Sequence, residues 1–164
     1  MKTIDSMGLK MCRYQAALFT RSIDETECSS GVFIRRFMNS ELAQRIDNSG
    51  GVFDSLDVSD AINEIETQYG KCAYGKEKYS PDEMHWIGYL YRYWAYFSGM
   101  SSKQIYKIVK PGKLKQLYYP YHSLDPMQAI ERIKEETDAA AFDFGNIERG
   151  VEILRKIRNR PPHR

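Results

Sequence analysis

From Met84 to Leu124 the chain contains no aspartate or glutamate, while the same run carries Arg92, Lys103, Lys107, Lys110, Lys113 and Lys115. Both tryptophans and most of the 12 tyrosines also fall there. The run opens at Ser80-Pro81-Asp82-Glu83, a helix start. Ser80 can accept from the backbone N–H at the third helical position, and Glu83 can reach back to close a capping box. Pro81 stands where a missing N–H costs nothing. Behind that start, Trp86, Leu90, Tyr93 and Phe97 form one stripe, with Ile87, Trp94 and Ala95 beside it. A helix that is apolar or aromatic almost all round must be buried on several sides. It is therefore predicted to be the spine, over residues 81–98, of an all-α domain of about six to seven helices.

The segment just after the spine has the spacing of a hinge. A helix-turn-helix needs a small residue late in its first helix and a residue tolerant of positive φ four positions on. It also needs an apolar residue just after, and aliphatic residues inside the second helix. Ala95, Gly99, Met100, Ile105 and Ile108 meet these needs, and Ser101 or Ser102 can cap the second helix. The segment 91–110 thus resembles helix-turn-helix DNA-binding modules. The resemblance implies a DNA-facing set of Ser102, Lys103, Tyr106, Lys107 and Lys110, able to touch phosphates and base edges of double-stranded DNA. The competing reading is an ordinary helical hairpin with a solvated lysine face.

The rest of the chain reads as helices around that spine. Residues 6–24 form the first, with Met7, Met11, Tyr14 and Leu18 on one track. Phe33, Ile34, Phe37, Met38, Leu42 and Ile46 mark a second, which Asn39-Ser40 can divide. Asn48-Ser49-Gly50-Gly51 is a loop. Val58, Ile62, Ile65 and Tyr69 make the stripe of another helix, capped by Asp57 or Ser59 and stopped by Gly70. Residues 70–79 are a hydrophilic connector between the N-terminal helices (6–69) and the central and C-terminal ones (80–158) of a single domain, 1–158. Lys110-Pro111-Gly112 forces a stop, Lys113 to Leu117 gives a short helical turn, and Tyr118 to His122 form an aromatic loop. Asp125-Pro126 starts a further helix with Met127, Ile130 and Ile133 on its face. Ala139 to Ala141 and Gly145 then lead to a last helix with Ile147, Val151, Leu154 and Ile157 as its stripe. Residues 159–164 are expected to be a disordered basic tail.

Bulk properties narrow the function. At 164 residues the chain can bury a real core. A net charge of +2 is too small to imply nucleic-acid binding from composition, so only the local basic run keeps that idea alive. Cys12, Cys28 and Cys72 share no metal or redox spacing and fit a reducing cytoplasm. No stretch reaches the ~18–20 apolar residues of a membrane span, so neither a membrane partner nor a signal peptide is expected. His85, His122 and His163 stand at no ligand spacing, and no catalytic or nucleotide-binding motif is present. No catalytic residue, metal or cofactor is assigned. Glu83, His85 and His122 are the only candidates if the protein is an enzyme on an unrecognised helical site; His85 otherwise reads as a structural histidine.

The stretches Tyr79-Ser-Pro-Asp-Glu-Met-His-Trp-Ile-Gly-Tyr-Leu-Tyr-Arg-Tyr-Trp and Leu117-Tyr-Tyr-Pro-Tyr-His-Ser-Leu-Asp-Pro-Met-Gln-Ala-Ile-Glu-Arg-Ile resemble a poorly characterised family of small bacterial proteins. These are associated with toxin–antitoxin operons, in some cases beside ADP-ribosyltransferase-like toxins. The likeness spans Met7 to Ile133. It implies a non-enzymatic antitoxin that neutralises a toxin partner by contact, with operator DNA as a second ligand. Tight protein contacts use aromatic and arginine anchors. Tyr89, Tyr91, Arg92, Tyr118, Tyr119, Tyr121 and His122 are the partner-binding candidates. A stand-alone helix-turn-helix regulator and a homo-oligomer are the alternatives kept open.

Overall fold

The computed structural model describes residues 4–49 and 52–158, all of the described elements being helical. In order they are α1 (Ser6–Glu25), α2 (Ser30–Met38), α3 (Glu41–Ser49), α4 (Val52–Ser55), α5 (Val58–Tyr69), α6 (Pro81–Ser98), α7 (Ser102–Ile108), α8 (Pro111–Tyr121) and α9 (Pro126–Arg158). The class is all-α, with nine helices among the described residues rather than six to seven. The chain divides into two units, residues 1–129 and 130–164. The tail 159–164 lies outside the described residues.

Short-range chemistry sets most boundaries. Asp5 caps α1, its Oδ1 accepting from the Gly8 N–H at 2.8 Å. Asp57 caps α5 and Gly70, at φ 82, closes it. Ser80 and Glu83 form the full capping box of α6. Ser40 divides the predicted second helix: its hydroxyl donates to the Phe37 carbonyl at 2.6 Å and accepts from the Ala43 N–H at 3.0 Å, so it ends α2 and starts α3.

Within unit 1, α1 and α6 make the most extensive helix pair. They run antiparallel: the Tyr96 hydroxyl donates to Asp5 Oδ1 at 2.7 Å near one end, and Gln15 Nε2 donates to the Gly88 carbonyl at 3.1 Å further along. Gly88 makes this approach possible. A Cβ there would come within 2.9 Å of the Gln15 carbonyl and 3.0 Å of Ala16 Cα, closer than packed atoms tolerate. Phe19, Phe33 and Phe37 fill the space beside α1, with Phe19 edge-on to both others at 5.9 and 5.1 Å. Trp94 and Tyr91 are buried on α6, as the all-round apolar pattern requires.

Several elements differ from the sequence reading. The connector 70–79 is a docked strap, not a free loop. Its Tyr74 and Glu77 carbonyls accept from the Ser29 and Ser30 N–H groups at 3.0 and 2.9 Å. Lys78 Nζ donates to the Thr26 carbonyl at 2.6 Å. The strap thereby satisfies backbone donors that the start of α2 would otherwise leave unpaired. The expected aromatic loop 118–122 is instead the last turn of α8, with Pro120 inside the helix. The turn is closed from beyond: the His122 N–H donates to the Tyr118 carbonyl at 2.8 Å. Next, α9 runs unbroken through 139–145, where the sequence predicts a break. The alanines there are the best helix formers, and one glycine costs only about 1 kcal/mol. In unit 2, Val151 and Leu154 are exposed, at 44% and 67%, rather than buried in a stripe; the side chains of Ile147 and Ile157 lie outside the described set. Of the loop expected at 48–51, Asn48 and Ser49 belong instead to the end of α3, while Gly50 and Gly51 lie outside the described residues.

Candidate functional site

Helix α6 and the hairpin it enters present two groups of side chains. The first is the hinge. Gly99 stands just past α6 in the left-handed region, φ 73, its N–H donating to the Ala95 carbonyl. Such a φ is easy for glycine and strained for other residues. Ser101 then caps α7 with a second capping box, closed by Gln104. The turn read from Ala95, Gly99 and Ser101 is thus a helix end at a left-handed glycine followed by a serine-capped helix, and Met100 and Ile108, expected on its inner side, are half-buried. Ile105 and Val109 are buried beneath α7, and Lys103, Gln104 and Lys107 are exposed on its outer side. Lys110 Nζ lies 4.1 Å from the centre of the half-buried Tyr106 ring, a cation–π contact. Among the described residues no ion pair engages Lys103, Lys107 or Lys110.

Ser102 corrects the outward set. It is 1% exposed. Its N–H donates to Asp47 Oδ2 at 2.8 Å and its hydroxyl to Asp47 Oδ1 at 2.8 Å. Arg92 corrects the partner-binding set in the same network. Its guanidinium is 1% exposed and donates to Gln15 Oε1 at 2.7 Å, Asp47 Oδ1 at 2.6 Å and the Ser102 hydroxyl at 3.1 Å. Burial pulls its pKa below the ordinary value, opposed by the Asp47 carboxylate. These bonds tie α1, α3, α6 and α7 together. Tyr91 is likewise interior, with its hydroxyl donating to the Val109 carbonyl at 2.7 Å. Burial pushes its phenol well above the usual range. Neither Tyr91 nor Arg92 reaches a surface.

The second group is a groove between α6 and α8 of about 380 Å³. Trp86 and Tyr118 meet edge-on at 5.8 Å, Tyr118 stacks on His122 at 4.7 Å, and His85 stacks on Tyr89 at 6.4 Å. Asp82, Leu90, Leu124 and Pro126 complete its lining. The i, i+3, i+4, i+7 spacing of Asp82, His85, Trp86 and Tyr89 lays all four along one side of α6. The groove thus joins Tyr89, Tyr118 and His122 of the partner-binding set. Tyr119 points elsewhere, 85% exposed, and Tyr121 is half-buried outside the lining. The sequence places Trp86 in the core stripe and makes His85 a structural histidine. Both instead belong to the groove, and the clue lies in their heptad-like spacing from Asp82 and Tyr89.

His122 has an assignable tautomer. Its Nδ1 lies 3.0 Å from the carbonyl oxygens of both Tyr118 and Tyr119. Carbonyls only accept, so Nδ1 carries the proton and the neutral ring offers Nε2 as an acceptor. Of the groups considered for catalysis, His85 and His122 share the groove, while Glu83 Oε1 is occupied by the Ser80 N–H at 3.0 Å. Among the described residues no three His, Cys, Asp or Glu side chains gather as a metal site. Among them, too, no helix is long and apolar enough to cross a membrane. No family model, curated protein or solved structure matches the chain.

Proposed function

We propose that the protein works by contact, as an antitoxin-like protein that masks a toxin partner through the α6–α8 groove. One observation carries this reading. Trp86, Tyr89, Tyr118 and His122 line an aromatic hollow between α6 and α8, while Tyr91 and Trp94 of α6 are closed into the core. Aromatic residues in a preformed hollow are the usual anchors of tight protein contacts. The likeness of residues 7–133 to proteins of toxin–antitoxin operons supplies the partner class, and an ADP-ribosyltransferase-like toxin is its most concrete form.

The test uses the reading frame beside the gene. Its product should arrest growth when expressed alone and be silenced by co-expression of this protein. Trp86→Ala combined with Tyr118→Ala should abolish the rescue while leaving the helical circular dichroism signal intact. A harmless neighbour, or full rescue by the folded double variant, removes the reading.

A second reading, in which the protein binds operator DNA, is favoured by the hinge at Gly99 and by the Lys103, Tyr106, Lys107 and Lys110 face without Ser102. Phosphate contacts of this kind weaken steeply with salt. A fragment of the gene's own promoter should shift at low salt and not with Lys103→Glu. The absence of any shift at low salt sinks this second reading and leaves the first untouched.

A further inference from the structure

The groove's lining has an asymmetry that its aromatic content hides: it includes one carboxylate, Asp82, and no lysine or arginine. Asp82 is exposed, and none of the ion pairs among the described residues uses it. Asp125, between the lining residues Leu124 and Pro126, acts on Tyr89 as a further negative charge and Arg13 as a positive one. Part of the presence of Asp82 is explained by the helix start, where a carboxylate is favourable by a few tenths to about 1 kcal/mol. That benefit does not require an aromatic hollow beside it.

Resting on the contact reading above, we infer that the groove takes an arginine side chain of the protein partner. Three features of the site select that occupant. The rings of Trp86, Tyr89 and Tyr118 line the groove, and aromatic rings attract a cation through their quadrupole and suit a flat guanidinium. The Asp82 carboxylate supplies a charged acceptor. His122, with its proton held on Nδ1 by the two carbonyls at 3.0 Å, leaves Nε2 as a second acceptor. A guanidinium carries five donors and no acceptor, so it suits a site that offers acceptors and ring faces. A leucine or phenylalanine anchor would leave both acceptors without a donor from the partner, and a lysine would match the charge but not the flat stack.

The experiment is a nuclear magnetic resonance titration of the full-length protein with capped tripeptides, acetyl-Gly-X-Gly-amide, at millimolar concentration. X is arginine, lysine, leucine or citrulline, which keeps the shape of arginine without its charge. The arginine peptide should shift the Trp86 indole and His122 imidazole signals. Citrulline should bind at least about tenfold more weakly, as should arginine to Asp82→Asn, because a charged hydrogen bond is being lost. His122→Phe, which keeps a stacking ring and removes the acceptor, should weaken arginine binding while leaving the leucine peptide unaffected. If leucine, lysine or citrulline binds as well as arginine, the arginine assignment is overturned and the groove as a docking site stands. If no peptide perturbs the groove, the assignment and the contact reading fall together.

Discussion

The two halves of α6 start from similar residues and end in opposite states. Toward its N-terminus, Asp82, His85, Trp86 and Tyr89 line an open hollow. Toward its C-terminus, Tyr91, Arg92 and Trp94 are sealed, each at 1% exposure or less. Aromatic and charged residues are therefore no guide to function on their own. What separates Tyr91 and Arg92 from Asp82 is burial together with hydrogen bonds made inside the core. Arg92 places three of its five donors on Gln15, Asp47 and Ser102, and its burial keeps the others from a partner. Asp82 and His122 line the groove, where an Asp82 carboxylate oxygen and His122 Nε2 are acceptors.

Breaking the closed half should have the largest effect. Arg92→Ala strands Asp47 and Gln15 inside four packed helices, and removing one member of a buried pair costs about 3–5 kcal/mol. Urea unfolding should show this loss, or failure to fold. A cost below about 1 kcal/mol would mean that the network is slack and that Arg92 belongs with the surface after all. Gly88→Ala should cost about 1–3 kcal/mol, since the new methyl meets the backbone of α1 and one helix must shift. Its thermal melt checks the closeness of the α1–α6 pair.

Alkali gives a milder test of the same interior. Burial pushes the Tyr14 phenol up to about 12, and its hydroxyl donates to the Leu56 carbonyl at 2.8 Å. Tyr91 is raised as well. A native state that holds protons more tightly than the unfolded chain gains stability below the ordinary phenol value near 10 and loses it as pH rises toward 12. The denaturant midpoint should fall across that window, with a shallower fall in Tyr14→Phe. A midpoint flat to pH 12 would contradict the buried placement.

The exposed face of the hairpin should yield the smallest stability changes. Lys103→Glu should stay within about 0.5 kcal/mol, as surface substitutions do. A large loss there would show that the α7 lysine face has a structural role. Such a result would blur the contrast between buried and available groups along this segment.

Range decides how much of this was legible in the sequence. The capping box at Ser80, a cap at Ser101 or Ser102, the stop at Gly99, a cap at Asp57 or Ser59 and the inner part of each stripe of α1, α5 and α6 are settled within a few residues. Periodicity and side-chain acceptors near the helix starts display them directly. Met7 and Tyr69 at the stripe ends are instead exposed, and Trp86 lines the groove. The readings that fail depend on distant neighbours. Arg92 sits 77 residues from Gln15 and 45 from Asp47, so no local pattern distinguishes it from an interface arginine. Ser102 reads as a cap facing solvent, but Asp47 of α3 takes both its donors. The strap 70–79 reads as a linker because its bonds go to the start of α2, far back in the chain.

The amino-acid order alone determined that this chain is helical, where most helices begin, and that residues 80–98 form its spine, because helix formation is settled by local hydrogen bonds and spacing. Only the tertiary structure decided which of the spine's aromatic and charged groups are consumed by the core and which remain available. That choice depends on whether a partner from another helix comes within hydrogen-bonding distance.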